Sequence, residues 1–228
     1  IRVLVCVEGP NDVSFLRHAS HILRKACSSL PDLQDEPSFV LLPLGGSTLK
    51  QWVEHRYLEE MRRPEVHIYD RDRGRACKYQ SACDKVNARS DGSKAFITEK
   101  AELENYLHAD AIKEALGVSV SVDDTSDVPR DVARAMHEKS SDTSKPWEDL
   151  HDDKQRKKIS RAKQRLNNEA VKCMTLKHFS ERDPEQEIHK WLRAIASLGG
   201  TKLTQPAIIS ADGAPPENPT SDEEGAHC

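Results

Sequence analysis

Six acidic side chains stand in three close pairs: Glu8 and Asp12, Asp70 and Asp72, Glu102 and Glu104. Side chains two apart along an extended segment point the same way, so Asp70 and Asp72, and likewise Glu102 and Glu104 with Leu103 turned inward, would present two carboxylates to one side. Such pairs repel unless something positive lies between them. Oxygen ligands suit hard divalent cations, magnesium, manganese or calcium. A simpler reading has Arg71, Arg73 and Arg75 neutralise Asp70 and Asp72 in a solvated loop. Asp12 could be a first-turn acid favoured by a helix dipole, and the Glu102 pair could open a helix together with Glu99. Glu8 is harder to dismiss. It follows the apolar run Val3–Val7, and an unpaired charge at the buried edge of a sheet is costly. Six carboxylates exceed the needs of one cation and suit two. Two metal ions about 3.5–4 Å apart can clamp the attacking and leaving oxygens of a phosphodiester displacement.

Those acids need elements to position them. Strands are expected over 2–7 and 66–69, where the apolar runs 3–7 and 66–69 show the pattern of strands covered on both faces of a parallel sheet. Residues 39–42 and 95–98 complete a set of four predicted strands. Helices are expected over 11–26, with Val13, Leu16, Ile22 and Leu23 facing inward, over 48–61, and in a short piece ending near Ala88. Alternating strands and helices specify an α/β sheet, whose ligands gather beyond the carboxyl ends of the strands. Glu8, the Gly45-Gly46-Ser47 turn and Asp70 each follow a strand end. Beyond Leu107 the pattern turns helical: 111–116, 129–139, a long stretch over 154–174 with Ile159, Leu166, Ala170 and Cys173 or Met174 inward, and 184–195, closed by Gly199-Gly200. The expected division is a catalytic core over 1–110, a mostly helical appendage over 111–198 and a flexible acidic tail over 199–228.

The net charge of −4 over 228 residues conceals an asymmetry. Residues 201–228 hold one lysine and five acids, and the first 200 are balanced at 33 of each sign. Residues 154–182 carry ten Lys or Arg against Glu169 and Glu181, a basic segment that can hold phosphates. The six cysteines show no CxxC pair or zinc spacing, so Cys6 and Cys27 read as reduced core residues and the chain as cytoplasmic. The ten histidines lack metal-ligand spacing, and no Ser-His-Asp or Cys-His arrangement is legible. No apolar run approaches a membrane span.

Together, Glu8-Gly9-Pro10-Asn11-Asp12, the Gly45-Gly46 turn, Asp70-Arg71-Asp72 and Glu102-Leu103-Glu104-Asn105-Tyr106-Leu107 resemble a Toprim domain, the unit shared by topoisomerases, bacterial primases and several nucleases. The Glu-Asn-Tyr-Leu element, the basic region and Lys163-Gln164-Arg165-Leu166-Asn167 are more similar to the OLD-family (overcoming lysogenization defect) nucleases. The resemblance implies a Toprim-like parallel sheet flanked by helices. It implies a site in which Glu8, Asp12, Asp70 and Asp72 bind metal and act in catalysis, Glu102 and Glu104 complete a two-metal centre, and Gly46 and Ser47 lie beside it. It also implies a lysine near the scissile phosphate: Lys163, with Lys158 and Lys172 as rivals. Two divalent cations, Mg2+ or Mn2+ with Ca2+ able to occupy the site, and DNA held through its phosphates would be the partners. A homodimer fits the same family. OLD proteins carry an ATPase domain ahead of this region. No GxxxxGK[ST] loop occurs here, and the chain enters a strand almost at Ile1, as expected of a C-terminal fragment that does not itself bind ATP. Tyr57, Tyr69, Tyr79 and Tyr106 read as structural, which speaks against a topoisomerase. The expectation is a metal-dependent DNA endonuclease that nicks and cleaves, with phage defence as the family's suggestion. An RNA-processing Toprim nuclease and a non-catalytic metal-binding or dimerisation module are the alternatives.

Overall fold

The computed structural model describes residues 1–74, 77–140 and 145–200. Four strands form one sheet: β1 (Val3–Val7), β2 (Phe39–Pro43), β3 (Glu65–Tyr69) and β4 (Lys94–Ile97), in the order β2-β1-β3-β4. Every pairing is parallel, with Val5 opposite Leu41 and Val66, and Val66 opposite Lys94. The expected α/β class, a parallel sheet flanked by helices, is what the chain adopts.

Alternation along β1 explains its uninterrupted apolar run. Val3, Val5 and Val7 enter one cluster with Phe15, Leu16, Ala19 and Leu23 of α1 (Pro10–Arg24), while Leu4 and Cys6 enter another with Leu49 and Val53 of α2 (Leu49–Glu54) and Ala82, Cys83 and Val86 of α3 (Gln80–Asn87). A strand wedged between two helical layers has no polar face to show. Of the four side chains expected inward on α1, Leu16 and Leu23 are buried, while Val13 and Ile22 pack at the margin.

The remaining helices are α4 (Ala109–Leu116), α5 (Val128–Lys139), α6 (Asp152–Asn168), α7 (Leu176–Arg182) and α8 (Glu187–Leu198). Leu166 of α6, Ile112 of α4, Val132 of α5 and Trp191, Leu192 and Ile195 of α8 join the cluster that holds Val3, Val5 and α1. The helical half is thus packed into the same core as one face of the sheet.

Two helices are shorter than the sequence suggests. The helix expected over 48–61 ends at Glu54, and a single 3-10 turn, Glu59–Met61, follows. Arg56 and Arg62 take left-handed backbone angles, φ 50° and 49°, which an α-helix does not contain. The stretch expected over 154–174 breaks at Glu169 into α6 and a 3-10 turn, Ala170–Cys173. Helix α7 has no counterpart in the sequence reading. Its start is fixed locally by the Thr175 hydroxyl, which accepts the His178 N–H at 3.1 Å. Arg75 and the acidic tail from residue 201 lie outside the described residues.

Candidate functional site

The chain passes from β1 outward to β2, then back across β1 to β3. Neighbouring strands whose connections leave in opposite directions open a crevice at their carboxyl ends, the usual ligand site of such sheets. Glu8 and Asp70 are the residues immediately after β1 and β3, and adjacency brings them together: Glu8 Oε1 accepts the Asp70 N–H at 3.1 Å. The other Glu8 oxygen accepts the Tyr79 hydroxyl at 2.7 Å, and the same hydroxyl lies 3.1 Å from Gly46 O. Burial raises the Glu8 pKa, opposed by these two hydrogen bonds.

Asp12 stands in the first turn of α1, and its Oδ2 accepts the Gly9 N–H at 2.7 Å. The first-turn reading of Asp12 is therefore realised, with a capping bond added. It does not exhaust the residue, because Asp12 is only 6% exposed and burial raises its pKa against the pull of Lys163 and two backbone N–H groups. A surface cap carries no such strain.

The Glu102 pair is not extended. Glu102 precedes the 3-10 turn Leu103–Tyr106, in which Leu103 and Glu104 are both buried. The turn is pinned by Asn105, whose Oδ1 accepts the Glu102 N–H at 3.0 Å and whose Nδ2 donates to Asp123 O and Ser126 O. The two acids still converge. Lys163 Nζ lies 3.3 Å from Glu102 Oε2 and 3.4 Å from Glu104 Oε2. Asp70 and Asp12 also raise the Lys163 pKa, after Glu104 and Glu102 and against its own burial. Four carboxylates from three separate segments thus act on one ammonium group. The rival lysines are placed elsewhere: Lys158 lines a cleft with Ala133 and Met136 of α5, and Lys172 acts on His18 and Glu169.

Glu104 is fully buried. Its Oε1 accepts Asn167 Nδ2 at 2.5 Å, whereas Oε2 accepts no hydrogen bond and has Lys163 as its ion-pair partner. Burial lifts its pKa to about 7 despite Lys163. Asp70, 8% exposed, is pushed well above the usual carboxylate range by burial, then by Asp12 and Glu104. A buried oxygen without a donor beside further carboxylates of raised pKa is a set of hard ligands short of positive charge. The donors are all oxygens, the kind that a hard divalent cation would take. The fit is electrostatic rather than pre-formed, for none of these six acids belongs to the clusters whose ligand atoms already lie within 4.8 Å of one another. Lys163 instead balances four of them.

Asp72 behaves differently from its partner. The chain does not stay extended there: Asp72 has φ 60°, a left-handed position that Asp tolerates better than most residues. Its N–H bonds Ala101 O at 2.9 Å, tying the loop after β3 to the segment that carries Glu102. Its charge still raises the Glu8 and Tyr79 pKa values. Of the arginines expected to neutralise the pair, Arg71 and Arg73 bond elsewhere. Arg71 bonds Thr98 O at 2.9 Å, and Arg73 pairs with Glu102 at 3.0 Å and Asp127 at 3.5 Å.

Gly46 supplies room, not a ligand. A Cβ there would meet Glu8 Oε2 at 3.1 Å and Tyr79 Oη at 3.3 Å. Ser47 beside it is exposed. Gly46→Ala is expected to shift Glu8 and cost about 1–3 kcal/mol, read as a lower urea midpoint than that of Ser47→Ala, which should be close to neutral. Tyr79, read from sequence as structural, joins the Glu8 and Gly46 loops. Tyr79→Phe is expected to destabilise by about 1.5 kcal/mol, the lower end for a hydrogen bond to a charged group. An unchanged urea midpoint would rule out that link. Asn167 was also missed as a site residue, although a signal existed: it lies one helical turn beyond Lys163, on the same face.

No family model matches the sequence, and no curated protein matches it. Among solved structures the chain is similar to the C-terminal region of the OLD protein of Xanthomonas campestris pv. campestris, with a TM-score of 0.46 and 15% identity over 87% of this chain and 94% of that one. A likeness at this level carries no argument about activity.

Proposed function

We propose that this chain is the Toprim nuclease region of an OLD-family protein: a metal-dependent DNA endonuclease acting on phosphodiester bonds through two divalent cations. The observation that carries the reading is the convergence of Asp12, Asp70, Glu102 and Glu104 on Lys163, with Glu8 bonded to the Asp70 backbone at the sheet's carboxyl edge. Glu8, Asp12, Asp70 and Asp72 would hold one cation, and Glu102 and Glu104 would complete the site for a second.

Bound cations would lower the pKa of a coordinated water and spread charge on the phosphate. The chain's own residues do the rest. The carboxylates, charged once their excess repulsion is offset, fix the position of the site. Lys163, relieved of balancing them, has its charge free for a phosphate oxygen. Asn167 holds Glu104 in place, and Tyr79 holds Glu8. Hydrolysis places the water's hydroxyl on phosphorus and its proton on the leaving oxygen. The basic residues of 154–182 would attract the nucleic-acid backbone with little sequence readout. An ATPase domain ahead of this region and a homodimer belong to the same proposal, as does the division into a core over 1–110 and a helical part over 111–198.

Supercoiled and linear DNA, and a matching RNA, should be incubated with the chain in EDTA, Mg2+, Mn2+ or Ca2+. Nicking and linearisation of DNA in Mg2+ or Mn2+, absent in EDTA, is the expected result. Cleavage of RNA in preference to DNA would transfer the site to RNA processing, and metal binding without cleavage of either would make this a non-catalytic module.

A further inference from the structure

Far from one another in sequence, His108 and His178 meet in the fold. His108 precedes α4, His178 lies in the first turn of α7, and their rings stack with centroids 4.4 Å apart and planes 4° from parallel. The hydrogen bonds set their tautomers. His108 Nδ1 accepts the Asp110 N–H at 3.1 Å, and His178 Nδ1 accepts the Thr175 N–H at 3.3 Å. A ring nitrogen that accepts is unprotonated, so in the neutral rings the proton is on Nε2. His108 Nε2 lies 3.0 Å from Glu181 Oε2 and donates to it. The Asp110 carboxylate lies 3.6 Å from the unprotonated His108 Nδ1. The carboxylate is exposed, and it brings a second ligand atom to the side of the ring where Nδ1 accepts. One ligand atom from each of His108, Asp110 and His178 lies within 4.8 Å of the other two.

We propose that His108, His178 and Asp110 form a second metal site, selective for a borderline transition metal of the Zn2+ class, with Glu181 as the carboxylate that orients His108. Two imidazole nitrogens and one carboxylate, with water completing the shell, suit zinc, nickel or copper rather than magnesium. A histidine that binds metal through one nitrogen commonly donates the other N–H to a carboxylate, which is the His108–Glu181 arrangement. Lone pairs lie in the ring planes, so binding requires the rings to open from their parallel stack. The backbone hydrogen bonds at the two Nδ1 atoms, 3.1 and 3.3 Å, are the contacts given up. The site would cross-link α4 to α7, whose Arg182 already bonds Asn105 O at 2.6 Å. It is independent of the carboxylates around Lys163, with which it shares no ligand.

The test is titration of the chelator-treated full chain with Zn2+ by calorimetry, and with Cu2+ read by electron paramagnetic resonance. Copper held by carboxylates alone shows no imidazole nitrogen coupling, which keeps the acidic site from being mistaken for this one. The expected result is a Zn2+ site weakened at least about tenfold by His178→Ala and about tenfold by Glu181→Gln, with Cu2+ coupled to two imidazole nitrogens in the parent and one in His178→Ala. Equal Zn2+ affinity in the parent and His178→Ala, or a parent Cu2+ spectrum without two-nitrogen coupling, would overturn the proposal. Circular dichroism checks that His178→Ala is folded. Should it not be, the parent's copper spectrum still decides.

Discussion

Lys163→Met is expected to destabilise the chain in EDTA by about 3 kcal/mol and to make its stability strongly dependent on divalent cations. Removing one member of a buried ion pair leaves the other charge uncompensated, at a cost of about 3–5 kcal/mol. The lower end applies because the Lys163 side chain keeps 28% of its exposure. Methionine retains the apolar stem and deletes the ammonium group, so the loss measures charge balance rather than packing. Glu104 Oε2 would then have neither a hydrogen bond nor an ion pair. Mn2+ should raise the thermal midpoint of Lys163→Met by more than it raises the parent's, because the cation replaces the missing charge. A variant as stable as the parent in EDTA would mean that the acids do not depend on Lys163.

The second large effect runs the other way. Asp70→Asn is expected to stabilise the metal-free chain by about 1–2 kcal/mol at pH 8, within the usual range for a single substitution, while abolishing metal-dependent cleavage. Asp70 is buried beside other acids, and its folded pKa lies well above its ordinary value of 3.8. For an acid whose pKa is raised on folding, the folded state binds the proton more tightly, so stability falls as pH rises through the interval between the unfolded and folded values. The penalty is complete above the folded pKa and absent below 3.8. The gain from Asp70→Asn should therefore be largest at alkaline pH and vanish towards pH 4. Glu104, raised from 4.5 to about 7, adds a penalty of the same sign that the variant retains. Urea unfolding of both proteins across pH decides this. A variant less stable than the parent at pH 8 would show that Asp70 is satisfied without a cation. A stability gain with lost activity is the signature of a strained functional site.

The sheet was legible because its strands carry their own evidence. Val3–Val7 is apolar at every position since both faces are covered, and β1 was placed to within a residue. Helix ends were less so. Nothing in residues 48–61 announces the left-handed angles at Arg56 and Arg62. Residue types and spacing singled out the acids as candidates, and the topology explains why Glu8 and Asp70 meet. The extended conformation failed at both later pairs: Asp72 turns left-handed, and Glu102 and Glu104 open a 3-10 turn, the alternative that the sequence also offered. The acids converge through long-range placement by α1 and α6, not through strand alternation. Tyr79 carried no local signal, since its partners Glu8 and Gly46 are remote in sequence. The stacking of His108 on His178 carried no local signal for the same reason, since the two are remote in sequence.

The most direct test is cleavage of supercoiled DNA by the parent and by Asp70→Ala, side by side in Mn2+ and in EDTA, with calorimetric Mn2+ binding measured on both. Nicking and linearisation by the parent in Mn2+ alone, and loss of both cleavage and tight Mn2+ binding in Asp70→Ala, are the expected results. Cleavage that survives Asp70→Ala, or persists in EDTA, would contradict them and place the chemistry away from the carboxylates around Lys163.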